Sequence, residues 1–159
     1  MPQAIFVPAL GDIKMIEVTR NYEQWYKFIN HSEHTTGYIG YLFGDADTDR
    51  YCHIYSDECN DNGVTPQKLP VNYRMSTTDD ICYGDAIIFL QNDKNIILEM
   101  PPVDPEIVED FLIKYPQLEY TEPEHMKTVR QFIEAAGFDC HQTTVINQNI
   151  DLFDPKFRM

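Results

Sequence analysis

The stretch GDAIIFLQNDKNIILEMPPVDPEIVEDFL, Gly84 to Leu112, holds two kinds of periodicity side by side. Gly84-Asp85 opens a firm apolar strand, Ala86 to Leu90. Asn92-Asp93-Lys94-Asn95 is a turn, and Ile96 to Met100 returns, which predicts a β-hairpin. Pro101-Pro102 then breaks the chain. Beyond it Asp104 is a helix cap, Pro105 takes the first helical position and Glu106 lies in the first turn. Ile107, Val108, Phe111 and Leu112 repeat at helical spacing until Tyr115-Pro116. A period of 2 gives way to a period of 3.6 within thirty or so residues.

Two further hairpins are expected upstream. Gln3 to Val7 and Ile13 to Val18 form the first, with Gly11-Asp12 in the connection. Gly37 to Phe43 and Arg50 to Ser56 form the second, with the acidic tip Gly44 to Asp49. In its return strand Tyr51, His53 and Tyr55 share one face, and Cys52 and Ile54 the other. Between these hairpins Asn21 can cap a helix from Tyr22 to Asn30, whose apolar positions are Tyr22, Trp25, Tyr26 and Ile29. Pro66 and Pro70 interrupt the chain, and Val71 to Met75 reads as a short strand or one helical turn. Downstream, Thr121 and Glu124 have capping-box spacing and Pro123 sits in the first turn. Met126, Val129, Phe132, Ile133 and Ala136 give this helix its stripe, and Gly137 stops it. Val145-Ile146 is at most a short strand, and Asp151 to Met159 an extended tail.

Segregated strands and helices define an α+β class. The expectation is an antiparallel hairpin sheet with one N-terminal helix, then two C-terminal helices and the tail. Residues 1–100 form the antiparallel part and 101–159 the helical extension, packed on it or separate.

Charge narrows the function. The 159 residues carry 26 acids and 12 bases, a formal net charge of -14, while 43% are hydrophobic. The apolar share suffices for a core, and a mean hydropathy of -0.41 fits a soluble chain. Asp45, Asp47, Asp49, Asp57, Glu58 and Asp61 crowd one segment with Arg50 the only Lys or Arg. Glu106, Glu109 and Asp110 cluster on the first C-terminal helix, opposite its apolar positions. Phosphate binding needs clustered Lys and Arg, so direct nucleic-acid binding is not expected. An anionic membrane surface is disfavoured on the same ground, and no run of about 18 apolar residues occurs. These nine acids instead form a candidate docking surface for a protein partner with a basic face.

Other chemistry is weakly supported. Asp45-x-Asp47-x-Asp49 imitates a calcium loop, but Arg50 stands where glycine is required and Ser56 where glutamate is. His31, His34, Cys52, His53 and Cys59 could supply zinc ligands only if folding gathers them, since no C-x-x-C pair occurs. Cys140-His141 would point apart on a strand. No cofactor or metal is expected. The four cysteines, without a basic, apolar leader, read as reduced thiols of a cytoplasmic or nuclear protein.

Between Ile13 and Leu90 the order of features is distinctive. Gly37-Tyr38-Ile39-Gly40-Tyr41 precedes a strand with an acidic tip; Leu69-Pro70-Val71-Asn72 follows, then Asp80-Ile81-Cys82-Tyr83-Gly84-Asp85 runs into an apolar strand. This resembles a small family of unknown function found in phages, mobile elements and large DNA viruses. The resemblance covers about half the chain and leaves out everything after Pro101. It implies the fold and a viral or phage setting, a virion component included. Gly84, Asp85 and Asn72 have structural readings, as a positive-φ turn and side-chain-to-backbone hydrogen bonds.

Three functions are therefore weighed. The first is a non-enzymatic acidic interaction module, an accessory or minor structural protein. The second is a small enzyme with a carboxylate or Cys-His site. The third is a DNA mimic, which needs its acids along one elongated face.

Overall fold

A computed structural model describes residues 1–20, 22, 25, 28–29, 37–57, 70–75, 84–114, 123–147 and 150–151. The hairpins form as their turn residues require. Strand β1 (Gln3–Val7) pairs antiparallel with β2 (Lys14–Glu17), β3 (Gly37–Asp45) with β4 (Arg50–Asp57), and β5 (Ala86–Gln91) with β6 (Ile97–Leu98). Asp49 and Asn95 hold positive φ in the second and third turns, a conformation that Asp and Asn tolerate. Strands β7 (Thr144–Asn147) and β8 (Ile150–Asp151) add a last short pair, so Val145-Ile146 is indeed strand. The order is β2-β1-β5-β4-β3-β7-β8, with β6 also on β5, and every pairing is antiparallel.

β5 lies at the centre. All six of its residues are buried, because both faces of the sheet are covered. On one face Ile5, Val7, Leu42, Phe43, Cys52, Ile88 and Leu90 meet helices α1 (Pro105–Lys114) and α2 (Pro123–Ala135) through Val108, Phe111, Leu112, Val129, Phe132 and Ile133. This buried cluster runs across Pro101-Pro102, taking in Met100 and Val103. Phe111 stacks on Phe132 at 4.5 Å between centroids, and Phe132 meets Phe43 edge-on at 5.6 Å. A bulge between Tyr41 and Phe43 turns two consecutive residues, Leu42 and Phe43, into this layer.

The helix termini follow the sequence. The Asp104 carboxylate accepts the Glu106 amide at 2.9 Å, and the Asp104 carbonyl accepts the Ile107 amide at 3.0 Å. At the end of α2 the Gly137 amide donates to the Glu134 carbonyl and the Phe138 amide to the Ile133 carbonyl, with Gly137 at φ 89°. Arg50 reinforces this end: its guanidinium donates to the Gly137 carbonyl at 2.6 Å and lies 4.5 Å from the Phe138 ring centre.

The opposite face corrects one expectation. No α-helix precedes the sheet among the described residues. In the segment expected to be helical, Tyr22 and Trp25 have 3-10 geometry, Phe28 and Ile29 form a turn, and the other positions lie outside the described residues. The Phe28 amide donates to the Trp25 carbonyl at 2.9 Å, three residues back rather than four. Tertiary packing outweighs a segment too short to be helical on its own. Trp25 is fully buried against Ala4, Val18, Tyr55, Ile87 and Phe89, and its indole N–H donates to the Thr19 carbonyl at 3.1 Å. Tyr22 stacks on Tyr55 at 5.7 Å and reaches the Gln91 side chain through its hydroxyl. The chain thus closes the sheet with an aromatic plug.

The Asn72 and Gly84-Asp85 features are structural. The buried Asn72 amide donates to the Val7 carbonyl at 3.1 Å and to the Gly84 carbonyl at 3.0 Å. Asp85 accepts the Ala9 amide at 2.8 Å, and Gly84 takes φ 82°. Asp85 thus binds a backbone amide as expected, whereas Asn72 grips two carbonyls. No helix among the described residues is long and apolar enough to cross a membrane.

Replacing Trp25 tests whether the plug is true core. Trp25→Ala should lower stability by about 3–5 kcal/mol in urea unfolding. A loss below about 1 kcal/mol would show that the segment merely rests on the sheet.

Candidate functional site

Of the nine candidate acids, Asp45, Asp47 and Asp49 lie at the β3–β4 tip and Glu106, Glu109 and Asp110 on α1. Register places the β3–β4 tip beside Gln91, since Tyr51 pairs with Gln91 at that end of β5. Val7 pairs with Ala86 at the other end, so the β1–β2 loop leaves the sheet there. Six strand residues separate the ends by roughly 20 Å.

At the tip, the acids are occupied by the backbone. Asp45 is only 4% exposed, its carboxylate accepting the Asp47 amide at 2.9 Å and the Thr48 hydroxyl at 3.1 Å. Asp49 accepts the Asp93 amide at 2.9 Å, tying two hairpin turns together. Asp47 is exposed. These bonds hold the hairpin tip together. The Asp57 backbone ends β4; its side chain, and all of Glu58 and Asp61, lie outside the described residues.

At the opposite end the acids of α1 border a cleft of about 620 Å³, open to solvent. Its walls are Asp12 and Ile13 from the β1–β2 loop, Arg74 from the turn after Asn72, and Pro105, Glu106, Glu109, Asp110 and Ile113 from α1. Helical spacing puts Glu106, Glu109, Asp110 and Ile113 on one side of α1. Asn72 fixes the Arg74 turn against β1, and Arg74 donates to the Pro8 carbonyl at 2.9 Å. The Arg74 guanidinium also pairs with Glu109 at 2.6 Å. Asp110 accepts the Thr128 hydroxyl at 3.3 Å, a link to α2. Only Glu106 of the three helix acids is fully exposed; Glu109 and Asp110 are half-buried. Asp12 and Glu106 enter no ion pair among the described residues. Among the described residues, four acidic residues and one arginine thus line the cleft. Asp12, Ile13 and Arg74 were not candidates from the sequence, because chain segments about thirty and more residues apart build the wall.

The thiols and histidines divide between layers. Cys52 is wholly buried in the helix-covered layer, and burial pushes its thiol well above the usual range. His53, its neighbour, stacks on Phe89 at 5.7 Å in the aromatic layer and meets Tyr41 edge-on at 5.3 Å. Burial holds the His53 imidazole below its ordinary value of 6.5. Burial, with Tyr51 and Cys52 nearby, raises Tyr41 to about 12. The Cys140 thiol donates to Glu134 at 3.3 Å, and its pKa is raised by burial first and then by that carboxylate. Cys140 is buried while His141 is exposed. Cys52 and His53 thus point to opposite sides of the sheet. His31, His34 and Cys59 lie outside the described residues, among which no group of three or more His, Cys, Asp or Glu side chains could hold a metal ion.

Comparison with protein-family models, with curated proteins and with solved structures finds no match for this chain.

Two outcomes check this arrangement. Cys52 should stay unmodified by iodoacetamide in the native protein and react only on unfolding, as read by peptide mass mapping. For His53, the folded imidazole binds its proton less readily than the unfolded one. The unfolded state gains the proton first as pH falls through about 6.5. His53 should therefore cost stability from pH 7 downward until the folded imidazole also titrates, and His53→Gln should flatten that slope in urea midpoints. An unchanged slope would mean the imidazole is as well hydrated as in the unfolded chain.

Proposed function

We propose that this chain is a non-enzymatic acidic interaction module that docks on a protein with a basic surface. The observation that carries the reading is the charge imbalance at the α1 end of the sheet, where four acidic residues and one arginine are among the described residues that line a cleft. Such a site attracts cations over about a Debye length, roughly 8–10 Å at ordinary salt. The tip acids contribute to the long-range field, but their carboxylates mostly serve the hairpin. Division of the acids between two ends favours a local docking site over a duplex-like array of charge. The resemblance in residues 13–90 supports a place among accessory or minor structural proteins of phages, mobile elements or large DNA viruses.

Binding of the full chain to polylysine and to a folded basic protein, cytochrome c, should be measurable by calorimetry at low salt. Affinity should fall at least about tenfold when salt rises from roughly 0.05 to 0.5 M. Binding that ignores salt, or no binding at low salt, would overturn the reading.

A further inference from the structure

We infer that the open edge of β2 pairs antiparallel with β2 of a second copy of this chain, joining two sheets across a two-fold axis. This goes beyond the acidic-module reading and does not depend on it. β2 ends the strand order, and among the described residues no strand lies on its outer side. Lys14 and Glu17 are exposed there, and Met15 and Ile16 half-buried.

Backbone parity decides which groups the edge offers. The Val18 amide donates to the Pro2 carbonyl at 3.0 Å, and the register pairs Ala4 with Ile16 and Phe6 with Lys14. Hydrogen-bonded pairs alternate along an antiparallel ladder, so Lys14 and Ile16 turn their amides and carbonyls toward β1. Gln3 agrees, since its carbonyl accepts the Met100 amide at 3.1 Å on the other side of β1. Met15 and Glu17 therefore present their amides and carbonyls outward. Such a row is a template for another strand, and the usual protections are missing. β2 contains no proline, and its register with β1 runs without a bulge. Its one lysine lies back over β1, with the Lys14 ammonium 5.7 Å from the Phe6 ring centre.

Charge selects the occupant. Copies that carry -14 each repel one another. Asp12, Lys14, Glu17 and Arg20 cancel within residues 1–20, so the whole excess lies beyond them. β2 is a neutral edge on an acidic chain, the place where two copies can meet. Parity also sets the register, because outward residues must join outward residues. Glu17 against its own copy would oppose like charges. Met15 against its own copy would draw in Ile13, which lies outside β2. Further shifts leave part of β2 unpaired. What remains sets Met15 opposite Glu17 of the second copy, each such pair exchanging both backbone bonds. Ile16 then faces Ile16 across the axis and loses its remaining exposure. A contact this short falls below the standard interface size, so the dissociation constant is on the order of 100 µM.

Sedimentation velocity on the full chain tests this. The 18.6 kDa monomer should give way to a species of twice that mass between about 10 µM and about 1 mM. Association should strengthen as salt rises, because screening removes repulsion between like-charged copies. Binding to cytochrome c moves the opposite way, so the two readings fail separately. Glu17→Pro deletes an outward amide and none that bonds β1; it should weaken the dimer at least about tenfold, with thermal melts confirming the fold. Glu17→Gln keeps that amide and removes a diagonal like-charge contact, so it should tighten the dimer about two- to threefold. Ile16→Cys should give, on oxidation, a dimer linked through the introduced thiol, because opposed Cβ atoms lie within about 4.5–5.5 Å. Lys14→Cys, which the register keeps apart, should not, as read by peptide mass mapping. A monomer throughout the range would leave the edge to a strand of another protein and overturn the pairing. So would a dimer that tolerates Glu17→Pro, weakens with salt, or cross-links as readily through position 14 as through position 16.

Discussion

Burial of β5 on both faces is the constraint on which the rest of the structure depends. An antiparallel sheet can leave one side wet, but Ile87 and Phe89 point one way and Ile88 and Leu90 the other, all fully buried. Neither set can be left to water at about 25 cal/mol for each Å² of apolar surface. One side is met by α1 and α2. The other must be met by a segment that the chain supplies between β2 and β3, and Trp25 is its wedge. Flanking strands are fixed by the same demand: β4 pairs with Ile87 to Gln91 on one edge of β5, and β1 with Ala86 to Ile88 and β6 with Leu90 and Gln91 on the other. From Val7, at one end of β1, the chain must turn out of the sheet, and that turn becomes a wall of the cleft. The site is a by-product of how the central strand is enclosed.

Hairpins were legible because their turn residues carry local instructions. Asn92 accepts the amides of Lys94 and Ile96 at 3.0 Å, and Asn95 takes the left-handed conformation. The helices were legible through Asp104, Pro105 and Gly137, which act on the backbone next to them. The segment after Asn21 misled for a definite reason. Tyr22, Trp25 and Phe28 recur every three residues, which suits a 3-10 turn, while Tyr22, Trp25, Tyr26 and Ile29 suit an α-helix. One string satisfies both periods, and only contact with Tyr55 and Phe89 chooses. Long-range assembly was not legible at all. Nothing in the order of residues says that Arg74 will face Glu109, because that pairing follows from strand order and from Asn72 bridging Val7 and Gly84.

Net charge also needs reading residue by residue. A total of -14 suggests a uniformly negative surface, yet many of the acids are committed to holding backbone. Asp45, Asp49, Asp85, Asp104 and Asp139 each accept a backbone amide at a turn or helix start. Glu99 accepts the Gln3 amide at 2.9 Å. Asp is common in this sequence partly because its short carboxylate makes turns. Those groups still contribute to the field at a distance, but a partner that took them for itself would undo hairpin ends. On α1, by contrast, Glu109 pairs with Arg74 and Asp110 accepts the Thr128 hydroxyl, while Glu106 is exposed.

The Arg74–Glu109 pair joins α1 to the turn after Asn72. The side chains of Arg74 and Glu109 are 22% and 36% exposed, so the pair belongs to the half-solvated class whose contribution is roughly 0–1 kcal/mol. It is therefore a poor explanation of stability, especially since Arg74 keeps its bond to Pro8 whatever Glu109 does. It is a better explanation of position: beside Arg74, Glu109 avoids the cost of a half-buried, unpaired charge. A fully buried pair would be costly to break, since breaking it leaves an uncompensated charge. A fully exposed one would be screened and supply little direction. The intermediate burial seen here lets the pair hold α1 beside the turn after Asn72 without the desolvation cost of a fully buried one.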